Sequence, residues 1–169
     1  MMSATAPLAL LLCALLVAAP ALATIPHTAS APSLSTTTWK TCGEGDFQVT
    51  AADLQPDTIT PGTSATFTID VVGGAKEVAG GAYVKMLVRL SGLPIYTQRV
   101  DLCSKTACPV ASGAAAQLKF SQDFPVYTPP GSYTVTLVGH GEDGGQLFCV
   151  SIAFRVELRS LARHRKALA

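Results

Sequence analysis

Gln146-Leu147-Phe148-Cys149-Val150-Ser151-Ile152-Ala153-Phe154-Arg155-Val156 decides the fold: Phe148, Val150, Ile152, Phe154 and Val156 fall on one side, Cys149, Ser151 and Arg155 on the other. A period of two marks a strand with one buried face. The pattern recurs upstream. From Ala65 to Val72, Phe67, Ile69 and Val71 oppose Thr66, Thr68 and Asp70. From Tyr83 to Leu90, Val84, Met86, Val88 and Leu90 oppose Lys85, Leu87 and Arg89, so Lys85 and Arg89 read as a solvated face. Gln117 to Phe124 aligns Leu118, Phe120 and Phe124, with Gln122 interrupting the row, and Ser132 to Gly139 sets Tyr133, Val135 and Leu137 between threonines. Asp46 to Ala51 and Ile95 to Leu102 bring the total to about seven strands. Turn pairs such as Pro61-Gly62, Gly73-Gly74, Ser91-Gly92 and Asp143-Gly144 separate them. The interior carries no convincing helical period. The chain is therefore predicted to be all-β, an immunoglobulin-like β-sandwich of antiparallel strands in two sheets. Its single tryptophan, Trp39, precedes the first strand-region cysteine, which argues against an antigen-receptor domain.

With 169 residues, the chain suits one domain preceded by a leader. Residues 1–23 read as a secretory signal peptide. The apolar run from Pro7 to Leu22 is short for a bilayer span, is broken by Pro20, and ends in the small-x-small sequence Ala21-Leu22-Ala23. Residues 24–41, rich in Ser, Thr, Pro and Ala, are expected to form a flexible lead-in, with the domain itself over 42–157. Twelve Lys and Arg balance eleven Asp and Glu, so the strong basic field of a nucleic-acid binder is lacking. Four of those bases, Arg159, Arg163, Arg165 and Lys166, follow the last acid, Glu157. Residues 158–169 thus form a basic tail, read either as a soluble terminus or as a segment resting on anionic headgroups.

Export leaves four cysteines after the leader, Cys42, Cys103, Cys108 and Cys149, an even number suited to an oxidising compartment. Of the three possible pairings, Cys103 with Cys108 closes a short loop and leaves Cys42 with Cys149 to tie the start of the domain to its end. Zinc is a poor alternative, because the spacing is not CxxC and His27, His140 and His164 are scattered. No metal and no cofactor are expected. Gly139-His140-Gly141-Glu142-Asp143-Gly144 satisfies GxGxxG but leads into another strand rather than a helix, so it reads as a hairpin connection. No GxSxG elbow occurs and His140 is the only histidine in the strand region, so no catalytic residues are assigned.

Cys103-Ser104-Lys105-Thr106-Ala107-Cys108-Pro109-Val110, a small cysteine ring closed by Cys-Pro, resembles the ML lipid-recognition family. Gly92-Leu93-Pro94-Ile95-Tyr96, Phe124-Pro125-Val126-Tyr127-Thr128-Pro129-Pro130-Gly131 and Gly144-Gly145-Gln146-Leu147-Phe148-Cys149 extend the likeness from Cys42 to Glu157. The chain looks most like the plant, algal and fungal phosphatidylglycerol/phosphatidylinositol transfer members, and more distantly like the Niemann-Pick type C soluble sterol carriers. The resemblance implies a secreted or lumenal lipid-binding and lipid-transfer protein, extracellular, vacuolar or endolysosomal. A phospholipid or sterol tail would lie between splayed sheets, with transient membrane contact, no nucleic acid, no catalysis and a monomeric state. Cavity walls would come from Phe67, Ile69, Val84, Met86, Val88, Leu90, Phe120, Phe124, Val135, Leu137, Phe148, Val150, Ile152 and Phe154. The entrance would come from Ile95, Tyr96, Val126 and Tyr127. The departure at Tyr96-Thr97-Gln98 weakens the case for sterol. The alternative is a sandwich with a filled core that recognises protein or glycan through its loops, since any sandwich core needs the same apolar rows. A rigid void of about 500 Å³ would cost about 12 kcal/mol, so an unliganded interior is expected to collapse in part.

Overall fold

The computed structural model of the protein describes residues 37–158. The expected leader, residues 24–36 of the expected lead-in and the tail beyond Leu158 lie outside them. Among the described residues the strands are β1 (Thr38–Thr41), β2 (Gln48–Gln55), β3 (Thr63–Val72), β4 (Tyr83–Leu90), β5 (Leu93–Asp101), β6 (Ala115–Phe124), β7 (Gly131–His140) and β8 (Gln146–Val156), with a 3-10 turn at Leu102–Ser104. They form two antiparallel sheets, β1-β8-β7-β4-β5 and β2-β3-β6. The all-β sandwich follows the expected class. No helix among the described residues is long and apolar enough to cross a membrane.

The strands with clean alternation pack as their sequences dictate. In β3, β7 and β8 the inward residues Phe67, Ile69, Val135, Leu137, Val150 and Ile152 are buried, and Thr and Ser line the outer side. Two departures have local causes. Thr38–Thr41 lies inside the expected flexible lead-in, yet it pairs with β8 and sets Trp39 beside Ile152. It is an eighth strand, too short and polar to show a period. β2 begins and ends later than the expected Asp46 to Ala51, because a bulge between Val49 and Ala51 breaks the alternation.

Two disulfides are present among the described residues, Cys42–Cys149 and Cys103–Cys108. The first joins the chain just after β1 to β8, where the Cys42 N–H also donates to the Cys149 carbonyl at 3.1 Å. The β4–β5 hairpin turns on Ser91 (φ 48°) and Gly92 (φ 88°), both left-handed as a two-residue turn of the I′ kind requires.

Candidate functional site

Hairpin 90–93 and loop 125–130 come to the same end of the sandwich. Leu90 pairs with both Leu93 and Tyr133, and the Ser91 N–H donates to Ser132 at 2.9 Å. On the other sheet, Thr63 pairs with Phe124 and the Gly62 N–H donates to the Phe124 carbonyl at 2.7 Å. The Phe124 and Phe154 rings, 5.9 Å apart, join the two layers there. The exposed apolar side chains Leu93, Ile95, Tyr96, Val126 and Tyr127 belong to this hairpin, to β5 and to this loop. The structure therefore gathers Ile95, Tyr96, Val126 and Tyr127 at one end; Leu93, 71% exposed, joins them.

The fourteen side chains expected as cavity walls face inward, but their surroundings differ. Twelve are buried against one another, whereas Val88 and Leu90 are only half-buried. Phe154 meets Phe67, Phe124 and Tyr133 with ring centroids 5.6, 5.9 and 5.7 Å apart, so aromatic rings fill the space between the sheets. Two clefts among the described residues are lined by other side chains than these fourteen. The first, about 620 Å³, lies at the opposite end, bordered by Asp46, Lys76, Glu77, Glu142 and Asp143. The second, about 300 Å³, lies beside Tyr83, Lys85 and Arg99 on the outer face of β4 and β5.

The interior loosens along one flank, and strand number explains why. Five strands oppose three, and each adds about 4.8 Å of width, so the larger sheet must overhang. Along β5 every residue except Val100 is exposed. The ladder puts Tyr96 on the inward side beside Val88, with Ile95 as the bulged residue between Pro94 and Tyr96. Val84 and Met86 on β4 are covered, while Val88 and Leu90 remain half-open. Across the gap, β6 places the half-buried Gln122 between Phe120 and Phe124. The result is an apolar seam between the overhanging β5 and the edge of β6, leading to the end where Val126 and Tyr127 stand free.

Sequence reasoning assigned Tyr133 only to the core. Its hydroxyl donates to the Pro129 carbonyl at 2.8 Å and so pins loop 125–130 to β7. The signal was present, because a buried tyrosine needs a partner for its hydroxyl. Burial raises the phenol above its ordinary pKa. The unfolded chain then ionises Tyr133 first, so stability is intact below about pH 10 and falls as pH climbs beyond it. Tyr133→Phe should cost about 1 kcal/mol at neutral pH and remove this part of the alkaline decline. Thermal denaturation across a pH series checks both effects.

The residues of the GxGxxG match form the β7–β8 connection, where Gly141 and Gly145 are hydrogen-bonded at 2.9 Å. His140 stacks on Tyr83 with centroids 5.0 Å apart and its Nδ1 lies 3.2 Å from the Gly144 carbonyl oxygen, so the ring is engaged structurally. No group of His, Cys, Asp or Glu among the described residues could hold a metal ion.

The described residues thus form a disulfide-strapped two-sheet sandwich with one overhanging edge and an apolar end. The chain belongs to the ML domain family, whose profile matches residues 36–156, and this is a family of lipid-binding and lipid-transfer proteins rather than enzymes. It is 28% identical over 131 residues to a phosphatidylglycerol/phosphatidylinositol transfer protein of Mycosarcoma maydis, covering 72% of this chain and 66% of that one. It is 30% identical over 115 residues to the protein of the same name from Schizosaccharomyces pombe, covering 64% and 60%. The match thus spans about two-thirds or less of these relatives' lengths. Among solved structures, a Niemann-Pick type C2 protein from Japanese carpenter ant shares the fold with a TM-score of 0.59 at 13% identity, over 71% of this chain and 99% of that one.

Proposed function

We propose that the protein is a secreted or lumenal lipid carrier that takes a phospholipid or sterol tail between its sheets through the β5–β6 seam and exchanges it with membranes. The carrying observation is that seam: the inward-facing Val88 and Leu90 are half-open where the larger sheet overhangs, and the exposed Tyr96 and Tyr127 stand toward its end. Family membership and the names of the fungal relatives support a lipid ligand, and the disulfides suit an oxidising compartment. A 16-carbon tail brings roughly 12 kcal/mol of burial before ordering costs, enough to drive the sheets apart along the flank. Ile95, Tyr96, Val126 and Tyr127 then form the rim over which the tail passes.

One observation favours a second reading, a recognition sandwich acting through its loops: the inward faces already fill the interior. Native mass spectrometry of the purified protein, with uptake of a fluorescent fatty-acyl probe, separates the two. A carrier yields bound lipid or takes up the probe; a permanently filled core does neither. Within the carrier reading, Tyr96→Ala and Tyr127→Ala should each slow transfer between vesicles about fivefold, the loss of about 1 kcal/mol of contact. Their exposure, 46% and 82%, leaves the melting temperature nearly unchanged. A large drop in melting temperature would assign them to the core instead.

A further inference from the structure

The two outer faces of the sandwich carry opposite charge. Alternation turns Lys40 on β1, Lys85 and Arg89 on β4, Arg99 on β5 and Arg155 on β8 to the outside of the five-stranded sheet. These are five of the eight bases of residues 37–158, a segment with eleven acids. None of Lys85, Arg89 and Arg99 pairs with a carboxylate among the described residues. At the border of this face, the Asp101 carboxylate is occupied by the Ser104 N–H at 3.0 Å. On the three-stranded sheet, the outward charges are Asp53, Asp70, Asp123 and Lys119.

The basic face also has a focus. Lys85 and Arg99 stand directly opposite each other in the β4–β5 ladder, a like-charge pairing that disfavours the sheet unless an anion bridges it. Both border the cleft of about 300 Å³, together with Tyr83, Thr97 and Gln98. The Arg99 guanidinium lies 3.4 Å from the Tyr83 ring centroid, and that ring stacks on His140, which holds the charge in place. Along β5 the character changes from exposed Leu93, Ile95 and Tyr96 to Thr97 and Arg99. A rim that is apolar at one end and basic at the other suits the boundary between acyl chains and headgroups; a nucleic acid has no use for the aliphatic half.

We propose that the outer face of the five-stranded sheet docks onto bilayers of anionic phospholipid, with Lys85 and Arg99 sharing headgroup phosphates. This deepens the carrier reading by naming the face and the headgroup charge that the membrane presents.

Co-sedimentation of the full chain with phosphatidylcholine vesicles, with and without phosphatidylglycerol, tests it. Binding should require phosphatidylglycerol and weaken as salt rises. Lys85→Gln with Arg99→Gln should lower it about 25-fold, roughly fivefold for each cation. Asp53→Asn with Asp123→Asn, on the far face, should change it less than twofold. Uptake of the fluorescent acyl probe without vesicles should be the same in every variant. Wild-type vesicle binding by the Lys85/Arg99 variant would overturn the proposal. So would equal binding to neutral vesicles, or retention on heparin with no vesicle binding. Charge-dependent docking without probe uptake would leave this surface standing and remove the carrier reading.

Discussion

Replacing Cys42 and Cys149 together by serine lowers the unfolding free energy by about 4.7 kcal/mol, the loop-closure value for a ring of about 100 residues. The cross-link spans 107 residues and fastens the point where β1 leaves the five-stranded sheet. β1 is four exposed residues long and pairs only with β8, so its own burial contributes little. The strap is therefore what keeps Trp39 beside Ile152 on that edge of the core. Serine in place of the Cys103–Cys108 pair, only five residues apart, should cost about 2 kcal/mol. Urea unfolding under non-reducing conditions, compared between the two double variants, checks the ranking. A loss below about 1 kcal/mol for the long loop would mean that the unfolded chain is already compact around it.

Phe154→Ala should destabilise by about 3 to 5 kcal/mol, because the ring is 4% exposed and contacts three other aromatic rings from both sheets. Its functional consequence discriminates more sharply than its cost. The truncation leaves an apolar space between the layers, where the carrier reading places a hydrocarbon tail, and apolar cavities stay dry and accept apolar guests. Saturating fatty-acyl probe should therefore restore much of the lost stability by mass action, about 2.7 kcal/mol at a hundredfold excess over its dissociation constant. Unfolding curves with and without probe measure this. A variant weakened equally in both conditions would mean that the interior does not accept a tail even when space is made for it.

How much of this could be read in advance depended on contrast between faces. β3, β4, β7 and β8 were legible because apolar and polar residues alternate where one face is buried. β1 was not, since four exposed residues in a Ser/Thr-rich segment show no burial period. β2 was misplaced by its bulge, which shifts the alternation midway. The exposed side chains at the rim, Ile95, Tyr96, Val126 and Tyr127, came from the family resemblance and not from any periodicity. The pattern alone did not separate a filled interior from a cavity, because the same inward Phe and Val rows serve both; only the cost of an empty void pointed to partial collapse. The charge separation needed the sheet register: Lys85 and Arg99 are fourteen positions apart and meet only across the ladder.

An overhanging strand leaves a row of backbone donors and acceptors unanswered, an invitation for another chain to stitch itself on and start a fibril. Here that invitation is withdrawn by the rim itself. Pro94 offers no N–H, the bulge at Ile95 spoils the straight run a neighbour would need, and Arg99 repels its own kind. The greasy border along this edge thus carries its own obstacles to strand addition.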